Sequence, residues 1–256
     1  KRNAGFGEAW KALFHREYEI IHALHNVSFT IQDGEMVGYI GLNGAGKSST
    51  IKIFSGILTP DSGTVLVDGR VPYKDRIAHV RQIGVVFGQR SQLWWDVPVI
   101  DSFELLKDIY SIPQKVYEDN VEELTDLLGL KELLRSPARQ LSLGQRMRCE
   151  IAASLLHSPK ILFLDEPTTY LDIRYQIEIL ELVKKLNQEF GITIIMVLHD
   201  INQAIYFSDK VIGLKDGLVA VQGNPQDVIS RESIKQLYGI ELDVTQVEGK
   251  TFVLTV

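Results

Sequence analysis

The sequence predicts an α/β protein with a mostly parallel sheet and helices on both faces. Three observations lead there. The short apolar runs from Ile161 to Leu164 and from Ile192 to Leu198 have the composition of strands buried on both sides. A helical pattern from Ile173 to Phe190 lies between them, and strands alternating with helices argue for parallel pairing. Upstream, Gly41-Leu42-Asn43-Gly44-Ala45-Gly46-Lys47-Ser48 fits the phosphate-binding pattern G-x-x-x-x-G-K-[ST] between an apparent strand and an apparent helix.

In chain order, Lys1 to Trp10 lacks the continuous apolar segment of a secretory signal, and the missing initiator Met implies trimming. Val27 to Ile31 and Met36 to Ile40 are rich in β-branched and aromatic residues and flank Asp33-Gly34, so they read as two strands joined by a turn. Beyond the glycine loop, Ile51, Phe54, Ile57 and Leu58 recur at helical spacing until Thr59-Pro60-Asp61-Ser62-Gly63 ends the pattern. Val65 to Val67 and Ile83 to Phe87 read as further short strands. From Pro98 to Ala138 the chain turns helical, with amphipathic faces marked by Phe103, Leu106, Tyr110, Val121, Leu124, Leu127 and Leu128 and breaks at Pro113 and Gly129. Another helix runs from Gly144 to His157, and Asp216-Gly217 and Glu248-Gly249 signal hairpins in the tail. We therefore expect one domain over 1–256. Its nucleotide-binding core is assigned to 1–90 and 159–243, an α-helical insert to 91–158, and a short β extension to 244–256.

Composition narrows the function. The net charge of -6 has the wrong sign for a surface built to neutralise nucleic-acid phosphates, and Lys and Arg form no run of five or more. No nucleic-acid partner is expected. No apolar run approaches the roughly 20 residues that span a bilayer. Cys149 is the only cysteine, which excludes an internal disulfide, and its apolar helical setting predicts a buried thiol and a reducing, cytosolic environment. His22, His25 and the other histidines have no surrounding Cys or carboxylate cluster, so no site for a metal other than Mg²⁺ is expected.

Three motifs carry the chemistry. In the first, a glycine turn entering a helix directs backbone N–H groups at phosphate oxygens. Gly41, Gly44 and Gly46 allow close approach, with Asn43, Ala45 and Ser49 completing the loop. Lys47 would neutralise the β- and γ-phosphates, and the Ser48 hydroxyl would ligate Mg²⁺. The second is the apolar run ending in Asp165-Glu166: Asp165 is placed to bind Mg²⁺ and Glu166 to polarise an attacking water. The third is Leu141-Ser142-Leu143-Gly144-Gln145, in which Ser142 and Gln145 also have the spacing of a helix capping box.

Together these motifs resemble the ABC-type ATPases, and the likeness covers nearly the whole chain. It implies ATP and Mg²⁺ as cofactors and a P-loop NTPase core with an antiparallel β subdomain and an inserted α-helical subdomain. It further implies that Ser142, Gly144 and Gln145 form the signature motif, which binds the γ-phosphate held by a second copy of the chain. His199 matches the family's switch histidine, and Leu171-Asp172 matches its D-loop, which puts Asp172 at the dimer interface. Gln89 is the candidate for the glutamine that links Mg²⁺ and the attacking water to the helical subdomain. Here the chain departs from the usual Phe-Gln, having Phe87-Gly88-Gln89-Arg90, with Gln92 close behind. Tyr18 is placed like the aromatic that stacks on adenine, and a packing role fits it as well. Trp94-Trp95 suits either a groove for a membrane partner's coupling helix or plain packing of the insert.

The resemblance implies an ATPase, ATP plus water giving ADP and phosphate, that dimerises head to tail. It would power integral membrane permease subunits from the cytoplasmic face of the cell membrane. The rival readings are a non-transport ABC ATPase and an ATP-binding domain without a natural permease. Within the family, residues up to about Phe163 look like exporter-type ATPases, carried by Gly88 to Asp96 and Gln145 to Glu150. Glu166 to Asp172 and His199 to Ala204 look like ATPases of iron-siderophore importers. The mosaic reads either as a recombinant, natural or engineered, joined near the Asp165 strand, or as one family mixing both patterns.

Overall fold

A computed structural model describes residues 22–88, 90–247 and 249–254. Its main sheet has six strands: β1 (Met36–Gly41), β2 (Ile83–Phe87), β3 (Ile161–Asp165), β4 (Thr193–Val197), β5 (Lys210–Lys215) and β6 (Leu218–Gly223). Their spatial order is β2-β3-β4-β1-β5-β6; all neighbours run parallel except β5 and β6, which form the hairpin expected at Asp216-Gly217. Both turn residues have positive φ, 48° and 75°, the primed-turn geometry that matches strand twist.

The helices are α1 (Lys47–Phe54), α2 (Arg76–Val80), α3 (Val99–Tyr110), α4 (Gln114–Leu128), α5 (Leu143–Leu155), α6 (Ile173–Phe190), α7 (Ile201–Phe207), α8 (Pro225–Val228) and α9 (Arg231–Tyr238). Alternation along the strands sorts side chains to the two sheet faces. Met36, Ile40, Leu162, Leu164, Ile194 and Met196 share one core with residues of α3 to α7. Val37, Tyr39, Phe163, Ile195 and Val197 share the other with Ile51 of α1. The breaks fall where expected, with Pro113 preceding α4 and Gly129 ending it at φ 64°. Cys149 is fully buried, and burial pushes its thiol up to about 12, so it stays protonated and inert.

Two readings are corrected. The segments Val27 to Ile31 and Val65 to Val67 are not strands; Val67 makes only an isolated antiparallel bridge to Arg70. Val27, Phe29, Ile31 and Val65 still pack on the second core. Apolar alternation reports burial of one face, whereas a strand also needs a hydrogen-bonded partner, and none pairs with these segments among the described residues. In the tail, β7 (Asp243–Val247) and β8 (Lys250–Leu254) form a separate antiparallel hairpin. The Asn202 side-chain amide fastens it to α7, donating to Val253 O at 2.9 Å and accepting from Val253 N at 2.9 Å.

Register decides what meets at the working edge. Phe87 pairs with Asp165, Asp165 with Val197, and Val197 with Tyr39. The residues that leave these strands at their C-terminal ends, namely Gly88, Glu166, His199 and the glycine loop, therefore emerge side by side, where parallel sheets bind ligands.

Candidate nucleotide site

The glycine loop is shaped by backbone that excludes side chains. At Gly41, φ is 137° and an added Cβ would lie 2.1 Å from the carbonyl oxygen of Leu214 on the adjacent strand. Gly44 and Gly46 also have positive φ. Lys47 opens α1 and is 5% exposed, with Nζ donating to Gly41 O at 2.7 Å and Leu42 O at 3.0 Å. Burial pushes its pKa down, while the nearby charges of Glu166 and Asp165 oppose that shift. Its ammonium thus curls over the loop, where a phosphate could replace the two carbonyls. Ala45 is buried and Ala45 N donates to Leu42 O, while Asn43 is exposed and Ser49 half-buried.

At the second residue of the loop helix, Ser48 Oγ donates to Asp165 Oδ1 at 3.1 Å. The two predicted metal ligands therefore meet although 117 positions separate them. They are hard oxygen donors, and two protein oxygens plus phosphate and water oxygens suit an octahedral Mg²⁺ site. Burial raises the Asp165 pKa, opposed by the Ser48 hydrogen bond and reinforced by Glu166. Glu166 itself sits at φ 60°, a conformation unfavourable for a long side chain, and its Oε1 lies 3.0 Å from His199 Nε2. Thr169 Oγ1 is 3.4 Å from the other carboxylate oxygen. Glu166 and His199 are 24% and 40% exposed at the side chain, so both remain open to a ligand.

The other predicted set stands apart. Ser142 caps α5 in a complete capping box: its hydroxyl accepts from Gln145 N at 3.3 Å, and Ser142 N donates to Gln145 Oε1 at 2.9 Å. Gly144 packs on α6, where an added Cβ would lie 3.2 Å from the Tyr175 ring. Asp172 caps α6 by accepting from Tyr175 N at 3.2 Å. Ser142, Gly144, Gln145 and Asp172 thus cluster at two adjoining helix starts. Among the described residues, no hydrogen bond joins them to Lys47, Ser48 or Glu166. Tyr18 and Gln89 lie outside the described residues.

Sequence reasoning missed two features. Gly88 N donates to Asp165 O at 2.9 Å, and a Cβ on Gly88 would come within 2.9 Å of Glu166 O and 3.0 Å of Asp165 O. The glycine that breaks the usual Phe-Gln pattern is therefore the residue that lets this segment lie against the Asp165-Glu166 backbone. The second feature is a glutamine pair: Gln176 Nε2 donates to Leu171 O at 2.8 Å, and Gln203 Nε2 donates to Gln176 Oε1 at 2.6 Å. It ties the Asp172 segment to the helix that follows His199. Sequence spacing carries no sign of either, because their partners are far away in the chain. Trp94 and Trp95, for which both a docking groove and packing of the insert were expected, are 57% and 52% exposed, with the Arg146 guanidinium over the Trp95 ring.

Comparison with known proteins points to one family. The ABC transporter family profile matches residues 24–169, more than half of the chain. The petrobactin import ATP-binding protein FpuC of Bacillus anthracis is 36% identical over 233 residues, covering 90% of this chain and 86% of its own. The ferric enterobactin transport ATP-binding protein FepC of Escherichia coli is 34% identical, covering 84% and 81%. Among solved structures, cbiO1 of Clostridium perfringens, part of an ABC transporter complex, has a TM-score of 0.75 at 33% identity, with 84% of this chain and 87% of that one covered. A dimeric ATP-binding cassette in a post-hydrolysis state with ADP and Pi has a TM-score of 0.72 at 33% identity, covering 82% and 94%. Among the described residues no helix is long and apolar enough to cross a membrane. The chain therefore belongs to the ABC transporter ATP-binding family and is an ATPase, converting ATP and water to ADP and phosphate.

Proposed function

We propose that the chain works as a head-to-tail dimer with two composite sites, each closed by residues of both copies. The observation that carries this reading is the separation just described. The loop side is assembled within one chain, while the exposed Ser142 presents a helix start to solvent, backed by the buried Gly144, with no hydrogen bond to that loop side among the described residues. A helix N-terminus attracts an anion, and the γ-phosphate on a second copy's Lys47 supplies one. Phosphoryl transfer depends mainly on positioning and charge stabilisation, so adding these donors would complete the site. Similarity to a dimeric ATP-binding cassette supports the arrangement.

In this site Ser48 and Asp165 would hold Mg²⁺, which neutralises charge on the β- and γ-phosphates. Glu166 holds the attacking water and polarises it, and His199 fixes the Glu166 carboxylate from 3.0 Å. Gln89 would link Mg²⁺ and the attacking water to the helical subdomain, Asn43, Ala45 and Ser49 would line the phosphates, Tyr18 the adenine, and Asp172 the interface. The ATPase drives integral membrane permease subunits from the cytoplasmic face, with the exposed Trp94 and Trp95 as the docking surface. The mosaic of exporter-like and importer-like motifs fits a recombinant joined at β3, which would pair strands of two origins.

Size-exclusion chromatography of Glu166→Gln with Mg-ATP tests the composite site. The expected result is a dimer trapped on unhydrolysed ATP. A monomer that turns over ATP at the parent rate would sink both the dimer and the role of Glu166.

A further inference from the structure

Glu150 is a carboxylate that the chemistry described so far leaves unused. It is 4% exposed, on the inner face of α5, about two helical turns beyond Ser142. Burying a charge is costly unless its oxygens are satisfied, and both are. Oε1 accepts from the Ser91 hydroxyl, and Oε2 accepts from Gln92 N at 3.0 Å. Gln92 then reaches the sheet: its Nε2 donates to Val85 O of β2 at 2.7 Å. Ser91 Oγ also accepts from Leu93 N at 3.1 Å, holding the turn that presents these donors. Arg146, one turn before Glu150 on the same helix, lies over the Trp95 ring. A continuous polar chain thus runs from the central sheet, through the segment that follows Gln89, to the helix whose first turn carries Ser142 and Gly144.

We propose that Glu150 is a positioning residue for ATP hydrolysis: its clasp on Ser91 and Gln92 sets the placement of α5 relative to the sheet, and so of Ser142 relative to the partner copy's nucleotide. The inference rests on the composite-site reading. A helix held only by apolar contacts can slide or tilt by fractions of an ångström at little cost, whereas two directional hydrogen bonds to a buried carboxylate fix it. Catalytic geometry is sensitive on that scale: about 1 Å of misplacement from a remote change can lower the rate about a hundredfold. The clasp does not touch the glycine loop, so binding of ATP to a single chain is independent of it.

The test uses the full chain with Glu150→Ala, Glu150→Gln, Ser91→Ala and Gln92→Ala. It measures kcat for ATP, affinity of the isolated chain for a fluorescent ATP analogue, and melting temperature. Expected is a fall in kcat of about tenfold or more in Glu150→Ala with analogue affinity unchanged, and a smaller fall in Ser91→Ala and Gln92→Ala. Glu150→Gln, whose amide oxygen still accepts one hydrogen bond, should recover most of the rate. Ser91→Ala and Gln92→Ala leave the apolar core intact and carry the test if Glu150→Ala does not fold. Rates within twofold of the parent in both of these overturn the proposal. So does a parallel loss of kcat and analogue affinity, which marks general loosening. If Glu166→Gln forms no ATP-dependent dimer, the composite-site reading falls and this one with it; a dimer with undiminished rates in the clasp variants sinks the clasp alone.

Discussion

The two regions proposed to face phosphate are built in opposite ways. Around Lys47, which covers the carbonyls of its own loop, polar groups meet across long sequence distances: Ser48 bonds Asp165 and Glu166 meets His199. Around Ser142 satisfaction is local, within a capping box whose partners are three positions apart. The first region needs the sheet to exist at all and is preorganised by strand register. The second needs only a helix start, so it can meet a ligand brought by another molecule without prior rearrangement. Preorganised positioning on one side and a self-satisfied anion site on the other suit a reaction completed on association.

Substitutions can break this contrast, and the largest effect is expected on the sheet side. Glu166→Gln removes the carboxylate proposed to polarise water and should lower kcat by about 10² to 10⁴-fold in a steady-state phosphate-release assay. An unchanged rate would shift the role of base elsewhere. Lys47→Ala deletes a buried, charge-assisted contact and should weaken ATP binding to the isolated chain by about 10 to 100-fold in titration calorimetry.

The signature side should respond differently. Ser142→Ala loses the cap and should cost about 1 kcal/mol of stability in denaturant titrations. Ser142→Asp separates the two roles of this residue: Asp caps as well as Ser, so stability should hold, while its charge opposes the γ-phosphate. ATP-dependent dimerisation and turnover should then fall although single-chain ATP affinity is retained. Equal losses of all three would erase the distinction between the regions.

The smallest expected effect concerns stability and pH. Burial raises the Asp165 pKa above its ordinary carboxylate value. A group raised in the folded state opposes folding once it is ionised, and that penalty disappears as pH falls below the ordinary carboxylate range. Asp165→Asn should therefore melt slightly higher than the parent near neutral pH, with the gain shrinking toward acid, while losing hydrolysis. A lower melting temperature at neutral pH would show that the Ser48 hydrogen bond outweighs burial.

Much of this was legible along the chain. The glycine loop, the strand ending at Asp165, the helix from Ile173 to Phe190 and the Asp216-Gly217 turn follow from periodicity and backbone preference, which act over a few residues. The same local reasoning overreached at Val27 to Ile31, where alternation reported burial without a partner strand. It was silent on Gly88, on the Gln176–Gln203 pair and on Glu150, because hydrogen bonds between residues 27 or 59 positions apart leave no periodic trace.

The sequence by itself determined the α/β class and the residue types at the phosphate loop, the strand carboxylates and the capped helix, since each is a short-range pattern tied to backbone geometry. Only the tertiary structure decided the strand order β2-β3-β4-β1-β5-β6 and the register that lines up Phe87, Asp165, Val197 and Tyr39. That register brings Ser48 to Asp165 and His199 to Glu166, and it leaves Ser142 facing outward. The physical reason is that which strands pair is settled by burying apolar faces of distant segments together, a requirement of the whole core that no local pattern contains.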